Sequence, residues 1–382
     1  LQEKLQKLKI AVNTRLFLKN KMEGMGWFGY ESLKRIVTNH PEHEFIFIFD
    51  RPYHTDFVFA PNITPVVLFP PTRHPLLWIC WFEISVTKLL KKHQPDLFLS
   101  PDGMIPLRTK TKCLTVIHDL NFIYYKKDMP LLVEKYYNYF FPRFAKKAVR
   151  IATVSEYSKQ DICKNYSIPI NKIDVVYNGS NLLYQPVTED IKTSVKNELT
   201  NGNPYFLFVG AMHPRKNLVN LFKAFDAFKN DNPNETKLVI VGNKMYWRKD
   251  LEEAYSAMKF KNEVHFTGRL SPEKLKDVLG SALALVYVPY FEGFGIPLIE
   301  AMNSGVPVIT SNLTSMPEIA GDAALLVDPF SVEEISDAMK QINSNTALRE
   351  ALIAKGNIRK MAFSWDKTAS KLWNSIELAL RE

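Results

Sequence analysis

The sequence predicts two α/β domains in tandem, each built on a parallel sheet. Short β-rich apolar runs recur along the chain, each followed by a stretch of helical periodicity, which is the signature of strand–helix alternation. A turn-rich passage from Tyr177 to Pro204, holding Asn178-Gly179 and then Gly202 and Pro204, interrupts that alternation. A length of 382 residues suits two to three domains at roughly 150 residues each.

The first domain, residues 1–180, is expected to carry strands at Lys9–Val12, Phe45–Phe49, Pro65–Leu68, Leu97–Leu99, Leu114–Ile117, Ile151–Thr153 and Asp174–Val176. The second, residues 181–365, is expected to carry them at Tyr205–Val209, Lys237–Val241, Val264–Phe266, Leu283–Val288, Pro307–Ile309 and Ala324–Val327. Helix starts are signalled by Pro272 after Ser271, and by the capping-box spacings Ser331/Glu334 and Ser315/Glu318. Two such domains meeting at a cleft would set the carboxyl ends of both sheets opposite each other, where open α/β folds bind ligands.

Composition narrows the function. Hydrophobic residues at 46% and charged residues at 23% exclude a disordered chain. The net charge of +9 is uneven: residues 1–190 carry +8 and residues 191–382 carry +1. A basic half points to nucleic acid, an anionic membrane face or a phosphorylated substrate. Cys80, Cys113 and Cys163 are scattered, so neither a disulfide framework nor a zinc site is indicated, and a reducing compartment is expected. No segment has the roughly 18 apolar residues of a spanning helix, and no signal peptide is recognisable. Leu1–Leu8 lacks a Met and reads as a trimmed end.

Gly24-Met25-Gly26-Trp27-Phe28-Gly29 fits a dinucleotide-binding fingerprint, with Asp50 at the end of the next strand. That fingerprint needs its first glycine directly off the strand, and here Asn13 to Glu23 intervene. The segment reads instead as a glycine-rich loop before an amphipathic helix, Tyr30–Val37, whose amides can approach a phosphate or a sugar.

The most informative stretch is Phe291-Glu292-Gly293-Phe294-Gly295-Ile296-Pro297-Leu298-Ile299-Glu300, directly after a strand. Its glycines allow close approach, Pro297 suits a first helical position, and the amides of Gly295, Ile296 and Leu298 would form an anion-binding helix end. Glu292 in the loop and Glu300 in the first helical turn can border one pocket and accept hydrogen bonds from hydroxyls. Taken singly they also fit a surface acid and a helix-dipole acid, but that leaves the loop unexplained. After Tyr205–Val209 comes Gly210-Ala211-Met212-His213-Pro214-Arg215-Lys216-Asn217, where Arg215 and Lys216 at a strand end supply positive charge for a departing diphosphate. In the first half, His118 at a strand end can meet a substrate hydroxyl or simply a backbone carbonyl. No nucleophile elbow, P-loop or Asp-x-Asp metal clamp is present.

At these residues the sequence resembles the retaining glycosyltransferases of family 4, whose GT-B fold sets two Rossmann-like parallel-sheet domains face to face across a cleft. The resemblance covers nearly the whole chain. It is carried by the Glu-x7-Glu motif of Glu292 and Glu300, and supported by Thr153–Ile162, Val176–Ser180, Phe208–Leu218, His265–Leu275 and the run MPEIAGDAALLVDP. The resemblance implies that Glu292 lies near the donor sugar and Glu300 holds the nucleotide ribose. Arg215 and Lys216 would bind the diphosphate with the Gly293–Ile296 backbone, and Gly268, Arg269 and Leu270 would flank the base. His118 would touch the sugar, and the Gly24–Gly26 loop would close over the phosphates. The first domain would take the acceptor, and a final helix, about 366–382, would pack back on it. Many members carry an Arg after the glycine that ends the first strand of the second domain; this chain departs there with Ala211, so Arg215 would have to compensate and the resemblance carries over less directly to it than to Lys216.

The reaction so implied is transfer of a hexose, with GDP-mannose the first candidate donor and a UDP-hexose the next, to a glycan or lipid-linked glycan of the cell surface. The HPRKN variant resembles bacterial mannosyltransferases. No cofactor or metal is expected, and the location is expected to be cytoplasmic. Trp78, Trp81 and Phe82 beside Lys88, Lys91 and Lys92 raise peripheral membrane contact as a separate reading, but Glu83 interrupts the run and the pattern fits better a helix packed on its own sheet with these rings in the core. Tyr136, Tyr137, Tyr139, Phe140 and Phe141, before Arg143, Lys146 and Lys147, read as core plus a solvated basic face. The rivals are a nucleotide-sugar epimerase, which would need no acceptor, and a basic nucleic-acid-binding protein, for which no module is recognisable.

Overall fold

The computed structural model describes residues 7–231, 233–244 and 247–382; most of the Leu1–Leu8 start lies outside them. Two compact units divide the chain: residues 1–179 with 364–382, and residues 180–363.

The first unit holds seven strands: β1 (Lys9–Asn13), β2 (Glu44–Phe49), β3 (Ile63–Val67), β4 (Leu97–Ser100), β5 (Lys112–Val116), β6 (Arg150–Thr153) and β7 (Ile173–Val175). They form one parallel sheet in the order β3-β2-β1-β4-β5-β6-β7, with Val12 opposite Phe47 on one side and Leu99 on the other. The second unit holds β8 (Tyr205–Val209), β9 (Lys237–Val241), β10 (Val264–Gly268), β11 (Ala284–Tyr287), β12 (Val308–Ser311) and β13 (Ala324–Val327). These are also parallel, in the order β10-β9-β8-β11-β12-β13. Helices cover both faces of such sheets, which is why runs such as Tyr205–Val209 are apolar at every position rather than at alternate ones. Strand order reverses between β1 and β4, and between β8 and β11, and the crevice beyond the carboxyl ends of such a pair is where open α/β sheets take ligands.

Helix α1 (Gly24–Asn39) follows β1 after ten residues. The Gly24–Met25–Gly26 stretch is therefore the first turn of a helix and not a loop, and the helix starts six residues before Tyr30. Glycine is a poor helix former, and propensity alone favours a loop here. Packing decides otherwise: a Cβ on Gly26 would lie 3.0 Å from the Leu16 carbonyl oxygen, and one on Gly29 3.1 Å from the Phe17 ring. Asp50 has no spare acceptor role toward a ribose, because its carboxylate receives Arg51 Nε and Nη2 and both the amide and hydroxyl of Thr72.

The core reading of one segment holds, and one helix cap is corrected. Trp81 and Phe82 are buried in the first unit's core with Ile46, Phe98 and Phe144, so they are not an exposed membrane-facing pair. The exposed apolar side chains of that segment are Leu76 and Ile84. Ser315 does not cap its helix; its hydroxyl donates to the Glu292 carbonyl oxygen at 2.9 Å. Ser271 and Ser331 do cap, accepting from the amides of Lys274 and Glu334.

The second unit contributes α2 (Leu218–Asp231), α3 (Ile296–Asn303) and α4 (Val332–Ser344) to the arguments below. The last helix, α5 (Trp365–Arg381), belongs to the first unit, where it buries Leu372, Ile376 and Ala379 and packs on α1, β5 and β6. Gly179 is required at the junction: a Cβ there would sit 2.3 Å from the Trp365 amide nitrogen. Arg150 of β6 ties the end of this helix, pairing with Asp174 at 2.6 Å and with Glu382 at 2.7 Å.

Candidate active site

In the second unit, the turn after β8 carries two of the expected cations. Gly210 donates to Val241 O at 2.9 Å, Pro214–Lys216 form one 3-10 turn, and Asn217 follows with φ +64. Asn217 is buried and pins this turn, its amide donating to Val288 O at 3.0 Å and to Pro329 O at 2.7 Å. The loop after β11 brings Glu292 to the same place, its backbone held by the hydroxyls of Thr314 and Ser315. Both segments leave the strand pair at which the sheet order reverses.

Arg215, Lys216 and Glu292 are in direct contact. Arg215 Nη1 donates to Glu292 Oε1 at 2.6 Å and to Phe291 O at 3.1 Å. Lys216 Nζ donates to the same carboxylate oxygen and also to the Tyr287 hydroxyl. Tyr287 donates its own proton to Glu292 Oε1 at 2.7 Å. One carboxylate oxygen of a 7% exposed glutamate thus receives two cationic donors and a phenol. Two cations against one acid leave a positive balance, and an incoming dianion would compete with Glu292 for both. Burial raises the Tyr287 pKa; the positive charge of Arg215 opposes this and Glu300 adds to it, so the phenol keeps its proton.

Gly295 precedes α3 at φ +96, a left-handed backbone that favours glycine, and a side chain there would also displace the Met316 methyl. Pro297 sits in the first turn. Leu298 is not an open amide as expected: it donates to Gly295 O at 3.1 Å, closing the turn. Glu300 falls in the second turn, because the helix begins at Ile296. Its carboxyl is only partly exposed; burial pushes its pKa up to about 7, and the hydrogen bond from Tyr184 pulls it back down. Gly293 and Phe294 line the buried loop between, with Phe294 edge-on to Phe363 at 5.7 Å. Gly268 ends β10 with φ +73 and accepts the Gly242 amide at 3.0 Å. Arg269 is exposed and Leu270 half-buried.

In the first unit, His118 follows β5. Its Nε2 lies 2.8 Å from Pro101 O. A carbonyl only accepts, so Nε2 carries the proton and Nδ1 is left as an acceptor. Burial lowers the His118 pKa, which keeps the ring neutral. Phe28 of α1 meets the imidazole edge-on at 5.1 Å, so the helix that starts at Gly24, Met25 and Gly26 runs beside it. Met25 is exposed and Gly26 buried.

Sequence reasoning missed Tyr287 and Tyr184, because a tyrosine ending an apolar strand or following a turn reads as packing. It also missed the buried pair of Arg15 and Asp102, whose Nε and Oδ2 stand 2.5 Å apart beyond the carboxyl ends of β1 and β4. His40, Glu42 and His43 gather ligand atoms within 4.8 Å of one another. The His43 Nδ1 accepts the Leu8 amide at 3.4 Å, so Nε2 holds the ring proton and offers no lone pair. His40 and His43 stack on Trp373 of α5, a packing role.

Comparison with known proteins fits this geometry. Residues 37–182 match the family described as Glycosyltransferase Family 4, and residues 190–359 match Glycosyl transferases group 1. The O-antigen chain mannosyltransferase B of Escherichia coli is 29% identical over 299 residues, covering 76% of either chain. The O-antigen chain mannosyltransferase RfbU of Salmonella typhimurium is 29% identical over 319 residues, covering 81% of this chain and 84% of that one. Among solved structures, a sucrose-phosphate synthase from Thermosynechococcus elongatus superposes with a TM-score of 0.79 at 18% identity, over 98% of this chain and all of that one, so the fold is shared.

Proposed function

The chain belongs to glycosyltransferase family 4, with the GT-B fold, and from that premise we propose that it transfers mannose from GDP-mannose, with retention, to a glycan or lipid-linked glycan of the cell surface. The observation that carries this reading is the buried meeting of Arg215, Lys216 and Glu292 beyond the carboxyl ends of β8 and β11. The mannosyltransferase names of the two O-antigen relatives support the sugar.

In the proposed reaction, diphosphate oxygens draw Arg215 and Lys216 away from Glu292. The bond from the anomeric carbon to the phosphate oxygen breaks, and the acceptor oxygen bonds that carbon on the same face. The acceptor proton passes to the departing phosphate oxygen, while Arg215 and Lys216 stabilise the charge that grows there. Glu292, released from its cations, accepts from a sugar hydroxyl, and Glu300 accepts from the ribose. In the first unit, His118, neutral and with Nδ1 open to a donor, is the candidate acceptor for a substrate hydroxyl. Charge on the leaving group is met by side-chain cations and the Gly295–Ile296 backbone, so turnover is expected to persist in a chelator.

Among the described residues no helix is long and apolar enough to cross a membrane. We place the enzyme in the cytoplasm, with the exposed Lys88, Lys91 and Lys92, on a segment that also exposes Leu76 and Ile84, meeting an anionic membrane face. Anionic vesicles that fail to retain the protein at low salt would remove that part of the reading.

The test of the donor is thermal stability with GDP, UDP, ADP and NAD at matched concentrations, since a ligand of the folded state raises the midpoint. A GDP shift lost in Lys216→Ala supports the reading. A UDP shift keeps the enzyme class and changes the donor, whereas a shift with NAD alone or with none of the four overturns the site. Conversion of the nucleotide sugar to its epimer without an acceptor would favour an epimerase.

A further inference from the structure

We propose that Tyr287 is a positioning residue, its hydroxyl holding the Lys216 ammonium and the Glu292 carboxylate in register when a diphosphate comes between them. The inference rests on reading Arg215 and Lys216 as the diphosphate-binding pair.

Tyr287 is the last residue of β11, 1% exposed, and β11 lies beside β8, whose following turn carries Lys216. A phenol hydroxyl donates once and accepts through its lone pairs, so it can join a cation to an anion. Here it does both: it donates to Glu292 Oε1 at 2.7 Å and accepts from Lys216 Nζ. The ammonium also lies over the ring, 4.9 Å from its centroid, a cation–π contact. Phe208 stacks on the ring at 6.1 Å, and the strand on either side is in the sheet, so the hydroxyl has little freedom to move.

Glu292 Oε1 has three donors in this arrangement, two of them the cations a diphosphate would claim. Only the phenol stays in place when those leave. It keeps the carboxylate aimed for a substrate hydroxyl and gives the Lys216 ammonium a second acceptor besides Glu292. Without the hydroxyl, Lys216 loses this acceptor and leans more heavily on Glu292, and a diphosphate has to break that ion pair without the phenol's help. The charged groups facing the phenol besides these two are Arg215 and Glu300, and with burial outweighing Arg215 the hydroxyl stays a donor at neutral pH.

A double-mutant cycle tests this, with GDP and UDP affinities measured by calorimetry on wild type, Tyr287→Phe, Lys216→Ala and the double variant. For the nucleotide that wild type prefers, Lys216→Ala is expected to weaken binding about tenfold or more and Tyr287→Phe about three- to tenfold, with the double variant no weaker than Lys216→Ala. A merely structural tyrosine would give effects that multiply. That outcome, or wild-type affinity in Tyr287→Phe, overturns the inference and leaves the site reading standing. If Lys216→Ala binds both nucleotides as wild type does, the site reading itself fails. Should Tyr287→Phe not fold, comparing Glu292→Gln with Glu292→Gln/Tyr287→Phe removes the stranded carboxylate and reads the same coupling through Lys216.

Discussion

The Glu300 carboxyl faces the hydroxyl of Tyr184, and burial pushes its pKa up to about 7. An acid that takes up a proton near neutrality makes stability depend on pH across the physiological range.

The sign for stability follows from linkage. Below its ordinary value of 4.5 the group is protonated folded and unfolded; between 4.5 and about 7 only the unfolded chain gives up the proton. Stability is therefore lost as pH rises through that window, and the cost is complete above it. Glu300→Gln should be more stable than wild type at pH 8 and not at pH 4, read as melting midpoints. If Glu300 accepts from the ribose, wild-type nucleotide affinity should rise from pH 6 to pH 8 more steeply than that of Glu300→Gln, in which only the ligand's own terminal phosphate still titrates.

His118 has the opposite sign. Burial lowers its pKa from 6.5, so the unfolded chain binds the proton first and stability is lost as pH falls below 6.5. His118→Asn should lose less of its melting midpoint between pH 7 and pH 5.5 than wild type does. Transfer by the wild-type enzyme should show no inflection at pH 6.5 attributable to this ring.

Gly242 sits where two loops touch. A Cβ there would lie 1.8 Å from the Gly210 carbonyl oxygen, at the start of the turn that carries Arg215 and Lys216. Backbone must shift to admit it. Gly242→Ala should weaken GDP or UDP binding together with stability, whereas Gly268→Ala meets no atom within 4 Å and should cost only its positive-φ strain, about 1–2 kcal/mol by denaturant melting.

Ile376 is fully buried between α5 and the first unit. Ile376→Ala should cost about 2–5 kcal/mol in urea melts. The nucleotide affinity of the folded fraction should be unchanged, since every contact drawn for the nucleotide's phosphates and ribose lies in the second unit.

Strands were most legible where a parallel strand buried on both faces writes itself as an unbroken apolar run, as in Tyr205–Val209; Lys237–Val241 and the edge strand Ala324–Val327, with Leu326 exposed, also have the bounds read from the sequence. The start of α1 was not legible, since the reason for Gly26 and Gly29 is the approach of Leu16 and Phe17, which no local pattern encodes. Arg215, Lys216 and Glu292 could be named from their places after strands. That all three converge with Tyr287 on one oxygen is a tertiary fact. Ser315 shows the limit of a short motif: its spacing to Glu318 is that of a cap, yet a buried carbonyl at Glu292 claims the hydroxyl. Trp81 and Phe82 show it for periodicity, where a core face and a membrane face have the same spacing.

Helix α5 is the final structured piece of the first unit, yet the ribosome makes it after all of the second. While residues 180–363 are being synthesised, the faces of α1, β5 and β6 that α5 covers have no partner from their own unit. The second unit, continuous in sequence, can close first. The N-terminal unit is then completed only when Trp365–Arg381 emerges, so during translation the unit begun first is the last to be sealed. A chain stalled before residue 365 would present that apolar surface to chaperones and proteases.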